Sequence, residues 1–393
     1  MALRLLFLTD THLGLDLPGR PRVARPRRGD DLFTSFERAL EPAVRGEAGV
    51  VVHGGDLFYR SRVPAWLAAR VFSRLADLAD AGVDLFWVPG NHERGAVPRE
   101  LLLTHPRVRV FDRPRTFLLS RDGVTLALAG FPYAPRIRDD APALFDATGA
   151  ASVPADVRLL CLHQAVEGAT VGPSDYVFRS GGDVLRGRDG PPGFAALLSG
   201  HIHRAQVLAR DLSGRPLASP VLFAGSTDRV SFVERFEPKG AFLLELSPNS
   251  SPGGRATWAF REHPVRPMAV VDLDPAPAGL SGRIDPALAR LAPRTLVRLR
   301  LLPEPPAESR TLLRPDALQA RAPEGVDVSV AWPRPEGAAP RMAPSPVPAA
   351  RSVRSRRAAP PGDAEAQLSF EPFRPSQPYG PPPRQATKRK RTE

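Results

Sequence analysis

The sequence has little of several residue types, and each shortage excludes a class of protein. A single cysteine, Cys161, in 393 residues rules out an intrachain disulfide and any cysteine-based zinc site. No apolar run approaches the ~18 residues that a membrane helix needs, and the run Leu3–Leu8 is too short for a signal peptide. We therefore expect a cytoplasmic protein without membrane contact, long enough for about two or three domains.

Lysine is almost as rare, because only three of the 54 basic residues are lysine and the rest are arginine. The formal net charge of +12 suits a polyanionic partner such as DNA. The alternative interpretation is coding bias, since arginine, alanine, proline and glycine are abundant together. The charge acts on partners whatever its origin.

Residues 1–263 alternate short apolar runs with helical patterns. The runs typical of buried strands are Leu3–Leu8, Val50–Val52, Val83–Val88, Val124–Ala129, Val157–Leu162 and Ala195–Leu198. Between them we predict one helix capped by Asp30 and another with Pro64 at its first position and Gly82 as its stop. The alternation predicts an α/β sandwich flanked by helices, with mostly buried strands.

Later apolar runs lack intervening helices. Val221–Ala224, Ala241–Leu246 and Ala256–Phe260 therefore predict antiparallel strands that close a second sheet.

The remaining chain divides into two parts of different character. Residues 264–335 predict a small α+β capping domain, with strands at Met268–Leu273, Arg294–Leu302 and Val326–Trp332 and a helix at Pro286–Leu291. Residues 336–393 hold 12 prolines and eleven basic residues against five acids, which predicts a disordered basic tail.

Five polar motifs occur in order, each at the end of an apolar run. They are Asp10-Thr11-His12, Gly54-Gly55-Asp56, Gly90-Asn91-His92-Glu93, His163-Gln164 and Gly200-His201-Ile202-His203. Because parallel strands of an α/β sheet end at one edge, we expect these motifs to converge. Carboxylate, imidazole and amide ligands without thiolate suit Mn²⁺, Fe²⁺ or Zn²⁺. A pair of such cations can activate water and clamp a phosphate.

This set of motifs resembles the calcineurin-like metallophosphoesterase superfamily. The resemblance implies one cation held by Asp10, His12, Asp56 and His203, and a second held by Asp56, Asn91, His163 and His201. It implies that His92 is a catalytic residue beside the scissile phosphate and not a ligand. The expected cofactors are two divalent cations, with Mn²⁺ preferred.

Finer features are similar to the nuclease subunit of the SbcCD class of DNA repair complexes. They are Thr9–Gly14, Gly55–Phe58, Leu162-His163-Gln164 and Gly225-Ser226 with Phe232, Glu234 and Lys239-Gly240. The similarity covers residues 1–246 well and 264–335 weakly. It implies a DNA repair phosphodiesterase, a 3′–5′ exonuclease with endonuclease activity on hairpins or single strands. It also implies a homodimer that works with an SMC-like ATPase of the SbcC kind.

Two departures and three alternatives accompany this interpretation. Tyr59 stands where the family often has an acidic residue, and no helical ATPase-binding segment is recognisable. A metallophosphoesterase acting on phosphoproteins or small nucleotides is the first alternative, and a non-enzymatic DNA-binding scaffold is the second. The third concerns five arginines predicted to contact DNA, which could instead form a solvated loop: Arg20, Arg22, Arg25, Arg27 and Arg28.

Overall fold

The protein is described here from a computed structural model covering residues 2–16, 28–93, 105–249, 253–274, 279–302 and 305–332. The predicted tail, 336–393, lies outside these residues. Helices within them are α1 (Arg28–Val44), α2 (Ala65–Asp80), α3 (Ile137–Ala147), α4 (Leu280–Ala289) and α5 (Pro315–Arg321). Among the described residues, no helix has the length and apolar character needed to cross a membrane.

The strands are short, and many match the predicted apolar runs. In chain order they are β1 (Leu3–Leu8), β2 (Val50–His53), β3 (Asp84–Trp87), β4 (Val108–Val110), β5 (Arg115–Arg121), β6 (Val124–Gly130), β7 (Val157–Leu162), β8 (Ala165–Val166), β9 (Thr170–Val171), β10 (Tyr176–Val177), β11 (Val184–Leu185), β12 (Ala196–Ser199), β13 (Gln206–Arg210), β14 (Pro216–Phe223), β15 (Gly240–Ser247), β16 (Arg255–Glu262), β17 (Met268–Leu273), β18 (Leu296–Leu301) and β19 (Asp327–Ala331).

Two six-stranded sheets form the body of the protein. The first has the order β16-β15-β1-β2-β3-β4 and the second the order β13-β14-β12-β7-β6-β5. Strands β1 to β4 are parallel to one another, as are β6, β7, β12 and β14. The predicted α/β sandwich flanked by helices is therefore confirmed.

The expected placement of the later strands is wrong in two respects. Strands β15 and β16 extend the first sheet, where β15 pairs antiparallel with β1. Their apolar residues Phe242, Leu244 and Leu246 join the core between the sheets, so burial favours this pairing. Strand β14 does lie in the second sheet, but it runs parallel to β12 and antiparallel only to β13.

Alternate residues of the central strands bury two different faces. Leu5 and Phe7 of β1 pack between the sheets with Leu159 and Cys161 of β7. Leu6 and Leu8, which point the other way, pack with α1 and α2, while α3 covers the outer face of the second sheet. Burial on both faces explains the unbroken apolar runs. This packing fixes the loops at the carboxyl ends of the strands.

The two predicted helix starts need small corrections. Helix α1 begins at Arg28, so Asp30 lies in its first turn, where a carboxylate still interacts favourably with the helix dipole. Pro64 is the N-cap residue of α2 and not its first helical residue.

The small unit is a parallel three-stranded sheet, β17-β18-β19, with α4 and α5 in its two crossovers. Helices alternate with strands here because parallel neighbours need crossover connections. Helix α4 begins at Leu280, earlier than the predicted start at Pro286. Arg266 ties this unit to the sandwich, since its Nη1 lies 3.0 Å from both Asp31 of α1 and Asp327 of β19. Domain boundaries after residues 263 and 335 stay a prediction.

Candidate metal centre

The residues predicted as ligands lie at the carboxyl ends of five parallel strands. Asp10 and His12 follow β1, Asp56 follows β2, Asn91 and His92 follow β3, His163 follows β7, and His201 and His203 follow β12. The first three of these strands belong to one sheet and the last two to the other. The edge where the sheets meet therefore collects side chains that are up to 193 positions apart in sequence, from Asp10 to His203.

One group of ligand atoms surrounds His12. The Nε2 atoms of His12 and His203 are 3.0 Å apart. Asp10 Oδ1 lies 3.9 Å from His203 Nε2 and 4.0 Å from His12 Nε2. These three residues offer ligand atoms within 4.8 Å of one another, which makes them a candidate cation site.

A second group surrounds Asn91. Its Oδ1 lies 3.0 Å from His163 Nε2 and 3.0 Å from His201 Nδ1. Asp56 Oδ2 lies 3.4 Å from His163 Nε2 and 4.0 Å from His12 Nε2. The Asp56 carboxylate therefore borders both groups and is positioned to be shared between them.

The spacing of these atoms suits divalent cations. Two ligands at right angles on a cation with bonds of about 2.1 Å are about 3.0 Å apart. This is the separation of three ligand pairs here, His12–His203, Asn91–His163 and Asn91–His201. Carboxylate oxygen, imidazole nitrogen and amide oxygen are also donor atoms that such cations bind. The residues present therefore fit divalent cations.

The pKa values of the histidines show where the site favours positive charge. Burial opposes protonation of His163, but the charge and hydrogen bond of Asp56, the charge of Asp10 and the Gly54 carbonyl together outweigh burial and raise the pKa of His163 to about 9. Burial likewise opposes protonation of His203, and Glu234 raises its pKa. Burial and the proximity of His203 lower the pKa of His12 well below its ordinary value. Positive charge is thus favoured at one histidine of each group. A bound cation would supply positive charge at the same places.

The two aspartates differ in their surroundings. Burial raises the pKa of Asp10, against the opposing charges of His163 and His203. Burial also disfavours the charged form of Asp56, but His163 outweighs it through its charge and hydrogen bond, and the pKa of Asp56 lies well below its ordinary value. Asp56 is therefore the firmly ionised carboxylate of the site.

Backbone strain concentrates at this edge. Asp10, His12, Asp56 and His201 all have positive φ, at 52°, 46°, 51° and 80°. A non-glycine residue in this region costs on the order of 1–3 kcal/mol, and such residues cluster at functional sites. Backbone hydrogen bonds hold the strained segments together, from Asp10 N to the Gly55 carbonyl at 2.9 Å and from His12 N to the Asp56 carbonyl at 3.0 Å. The strain thus serves to aim ligands into one pocket.

Hydrogen bonds behind the ligands fix which ring nitrogen faces the site. His163 Nδ1 donates to the Gly54 carbonyl at 2.7 Å, and His203 Nδ1 donates to Glu234 Oε1 at 3.2 Å. In both rings Nε2 is left facing the ligand cluster. The sequence marks Glu234 as part of the resemblance, but its contact with His203 is not predictable from it, because the motif spacing carries no sign of that contact.

Glu93 is a second residue whose role the sequence does not show. Its buried carboxylate accepts three backbone N–H groups, from Gly90 at 2.7 Å, Asp56 at 3.0 Å and Phe58 at 2.8 Å. Burial, and next the charge of Asp56, raise the pKa of Glu93 to about 8. Glu93 thus ties the loop after β2 to the loop after β3. A side chain at Gly90 would collide with Asp56, so glycine allows this close approach.

His92 lies at the open side of the cluster. Its Nδ1 donates to the Tyr59 carbonyl at 2.5 Å, and its Nε2 lies 3.7 Å from Asp56 Oδ2. The side chain is 32% exposed, against 3% for Asp56. His92 can therefore meet a substrate that approaches from solvent, although its ring also lies close enough to His12 and Asp56 to join a cation site.

His53 and Arg28 both have partners outside the set of predicted ligands. His53 Nε2 lies 3.1 Å from Thr11 Oγ1, and its Nδ1 accepts from Gly55 N at 3.3 Å, so both ring nitrogens are engaged. The Arg28 side chain is 11% exposed and pairs with Asp31 and Asp228. Its predicted contact with DNA stays a prediction. The other predicted DNA contacts, Arg20, Arg22, Arg25 and Arg27, lie outside the described residues.

Comparison with known proteins adds the family. The calcineurin-like phosphoesterase model matches residues 3–205, more than half of the chain. This range contains all seven predicted ligands and His92.

Several curated relatives share one description, DNA double-strand break repair protein Mre11. That of Saccharolobus solfataricus is 24% identical over 62% of this chain and 60% of its own length. That of Haloferax volcanii is 30% identical over 69% of this chain and 54% of its own length. That of Aeropyrum pernix is 24% identical over 76% of this chain and 69% of its own length. The chain thus spans less than two thirds of the first two relatives.

Proposed function

The chain belongs to the calcineurin-like phosphoesterase family, and from that premise we propose that it is a metal-dependent DNA phosphodiesterase acting in DNA repair. One observation carries the proposal: side chains of the kinds that bind divalent cations converge from both sheets, and the Asp56 carboxylate lies 3.4 Å from His163 on one side and 4.0 Å from His12 on the other. The names of the relatives support DNA as the substrate. The net charge of +12 supports a polyanionic one.

The residues divide into ligands and one group for the substrate. Asp10, His12, Asp56 and His203 would hold one divalent cation, and Asp56, Asn91, His163 and His201 the other. When bound, such cations supply charge neutralisation at the phosphate and a lowered pKa for water. His92 Nε2 would orient the phosphate or protonate the departing 3′ oxygen. The Tyr59 carbonyl holds the His92 ring for that task.

Finer points of the proposal rest on the resemblance of the motifs. We propose Mn²⁺ as the preferred cation, 3′–5′ exonuclease polarity, and endonuclease activity on hairpins or single strands. We also propose a homodimer that works with an SMC-like ATPase of the SbcC kind. Capture of that ATPase by the full chain, compared with a chain ending at Pro335, tests whether residues 336–393 contribute. Capture by neither chain would contradict the partnership.

The test of function is a Mn²⁺-dependent assay on end-labelled duplex, single-stranded and hairpin DNA. We expect release of nucleotides or cleavage of the hairpin by the wild type, and none by Asp56→Ala. Parallel reactions contain p-nitrophenyl phosphate, a cyclic nucleotide and a phosphoprotein. Hydrolysis confined to these compounds would favour a phosphatase or nucleotide phosphodiesterase instead. Metal binding without any hydrolysis would favour a DNA-binding scaffold.

A further inference from the structure

A short turn supports His203 from behind. This turn, Phe232–Glu234, is a 3₁₀ helix that follows the loop after β14. Glu234 Oε1 accepts from His203 Nδ1 at 3.2 Å and from Ser231 Oγ at 3.1 Å. Glu234 is 5% exposed. The orientation of the His203 ring therefore depends on where this turn holds the carboxylate.

Lys239 anchors the turn from the interior. Its side chain is completely buried, and Nζ donates to Glu234 Oε2 at 2.8 Å, Ser226 Oγ at 2.8 Å, the His203 carbonyl at 2.9 Å and Glu237 Oε2 at 3.2 Å. The same ammonium thus contacts both the turn and the backbone of His203. This network fixes the inner side of the turn but leaves its Phe232 end to other contacts.

The small unit holds that outer end. The Arg298 guanidinium of β18 lies over the Phe232 ring, 4.1 Å from its centroid. Both residues line a groove of about 950 Å³ between the small unit and the sandwich. Arg298 thus contacts Phe232, the backbone of the turn joins Phe232 to Glu234, and Glu234 accepts a hydrogen bond from His203.

We propose that Arg298 is a positioning residue for the metal centre, which it supports by holding the Phe232–Glu234 turn against His203. The proposal deepens the proposed function and rests on it in one respect, the assignment of His203 as a ligand. The small unit would then do more than cover the sandwich, because it would set the affinity of one cation site. Arg298 itself touches neither cation nor substrate in this role.

The expected effect of each substitution depends on how directly the residue supports His203. Loss of a carboxylate that orients a histidine ligand weakens metal binding by about 10–100-fold, so Glu234→Gln sets the upper limit. Loss of an exposed cation–π contact corresponds to about 2–5-fold in an equilibrium constant. We therefore expect Arg298→Ala to weaken Mn²⁺ binding at one site by about 2–5-fold.

Equilibrium dialysis of the full chain against Mn²⁺ measures this affinity without requiring activity. Arg298→Lys keeps the charge but lacks the planar guanidinium, and we expect an effect smaller than that of Arg298→Ala, because an ammonium can keep part of the cation–π contact. Phe232→Leu should also weaken Mn²⁺ binding. The double variant, Arg298→Ala with Phe232→Leu, should bind Mn²⁺ as tightly, within error, as the weaker-binding of the two single variants. Arg300→Ala is the matched control: it lies two residues along the same strand, removes the same charge, and pairs with Asp272. Its Mn²⁺ affinity should equal that of the wild type.

Each alternative result has a definite meaning. Unchanged Mn²⁺ affinity in Arg298→Ala, with weaker DNA binding alone, would overturn the proposal and make Arg298 a direct DNA contact. An Arg300→Ala effect as large as that of Arg298→Ala would overturn it in favour of a general charge effect. If the wild type binds Mn²⁺ but cleaves no phosphodiester, the proposed function fails, while the affinity series still decides the role of Arg298.

Discussion

Replacement of Glu93 by glutamine is the sharpest test of how the site is supported. The carboxylate accepts three backbone N–H groups through two oxygens, Gly90 and Asp56 on Oε2 and Phe58 on Oε1. Glutamine has one oxygen, which can keep the first two donors. Its NH₂ group must then face the Phe58 N–H, so one hydrogen bond is lost and two donors oppose each other in a buried place.

The expected cost combines two effects. A lost hydrogen bond is worth about 0.5–1.5 kcal/mol, and an unsatisfied buried donor costs about 1–3 kcal/mol more. Glu93→Gln should therefore lower the free energy of unfolding by about 3 kcal/mol. Because Glu93 joins the loops that carry Asp56 and Asn91, the variant should also bind less Mn²⁺ than the wild type does.

Urea denaturation at pH 9, above the pKa of about 8 that burial and the Asp56 charge give Glu93, measures the free energy with the carboxylate ionised. Elemental analysis after dialysis gives the bound metal. Glu245→Gln is the control, since its carboxylate is 49% exposed and pairs with an exposed Arg4. We expect that variant to lie within about 0.5 kcal/mol of the wild type. A Glu93→Gln protein as stable and as metal-rich as the control would refute the reasoning.

Three further predictions concern catalysis, pH and charge. His92→Ala should lower the rate of hydrolysis by about 10²–10⁴-fold yet keep both cations by elemental analysis. Asp56→Ala should lose metal. Equal metal loss in the two variants would show that the roles are misassigned. Burial lowers the pKa of His53 to about 3, so its neutral form contributes stability that is present above the unfolded pKa of 6.5 and lost as pH falls toward 3. Between pH 7 and pH 4 the metal-free wild type should lose on the order of 3 kcal/mol more than His53→Gln in urea denaturation, and parallel losses would contradict this origin. Deletion of residues 336–393 should reduce the log–log salt slope of DNA binding by about 0.9 for each lost phosphate contact while sparing a small phosphodiester, and an unchanged slope would mean that the tail does not bind DNA.

The sequence is most informative where a strand is buried on both faces. Strands β1 and β7 have the predicted bounds, because a short unbroken run of leucine, valine and similar residues between turn residues is typical of a strand covered on both sides. The sheet to which β15 belongs is not predictable, since pairing with β1 joins residues more than 230 positions apart. Helix α4 begins at Leu280, before its predicted start. The prediction missed its first turns because Gly282 and Pro286 both interrupt the helical pattern in the sequence.

The candidate site shows the same division. Motifs at strand ends predict which side chains converge, since strand order brings such ends to one edge. The supporting residues are not predictable in their roles. Glu93 accepts hydrogen bonds from backbone N–H groups, which nearly every residue type has, so the sequence does not mark its partners. Glu234 and His203 are 31 positions apart, and only the fold brings them into contact.

The central claim is that two divalent cations share Asp56 at the edge where the sheets meet. A crystal of the protein soaked in Mn²⁺ and measured near the manganese absorption edge tests it directly. We predict two anomalous peaks, one among Asp10, His12, Asp56 and His203, and one among Asp56, Asn91, His163 and His201. A single peak, or a pair of peaks that does not share Asp56, would contradict the account.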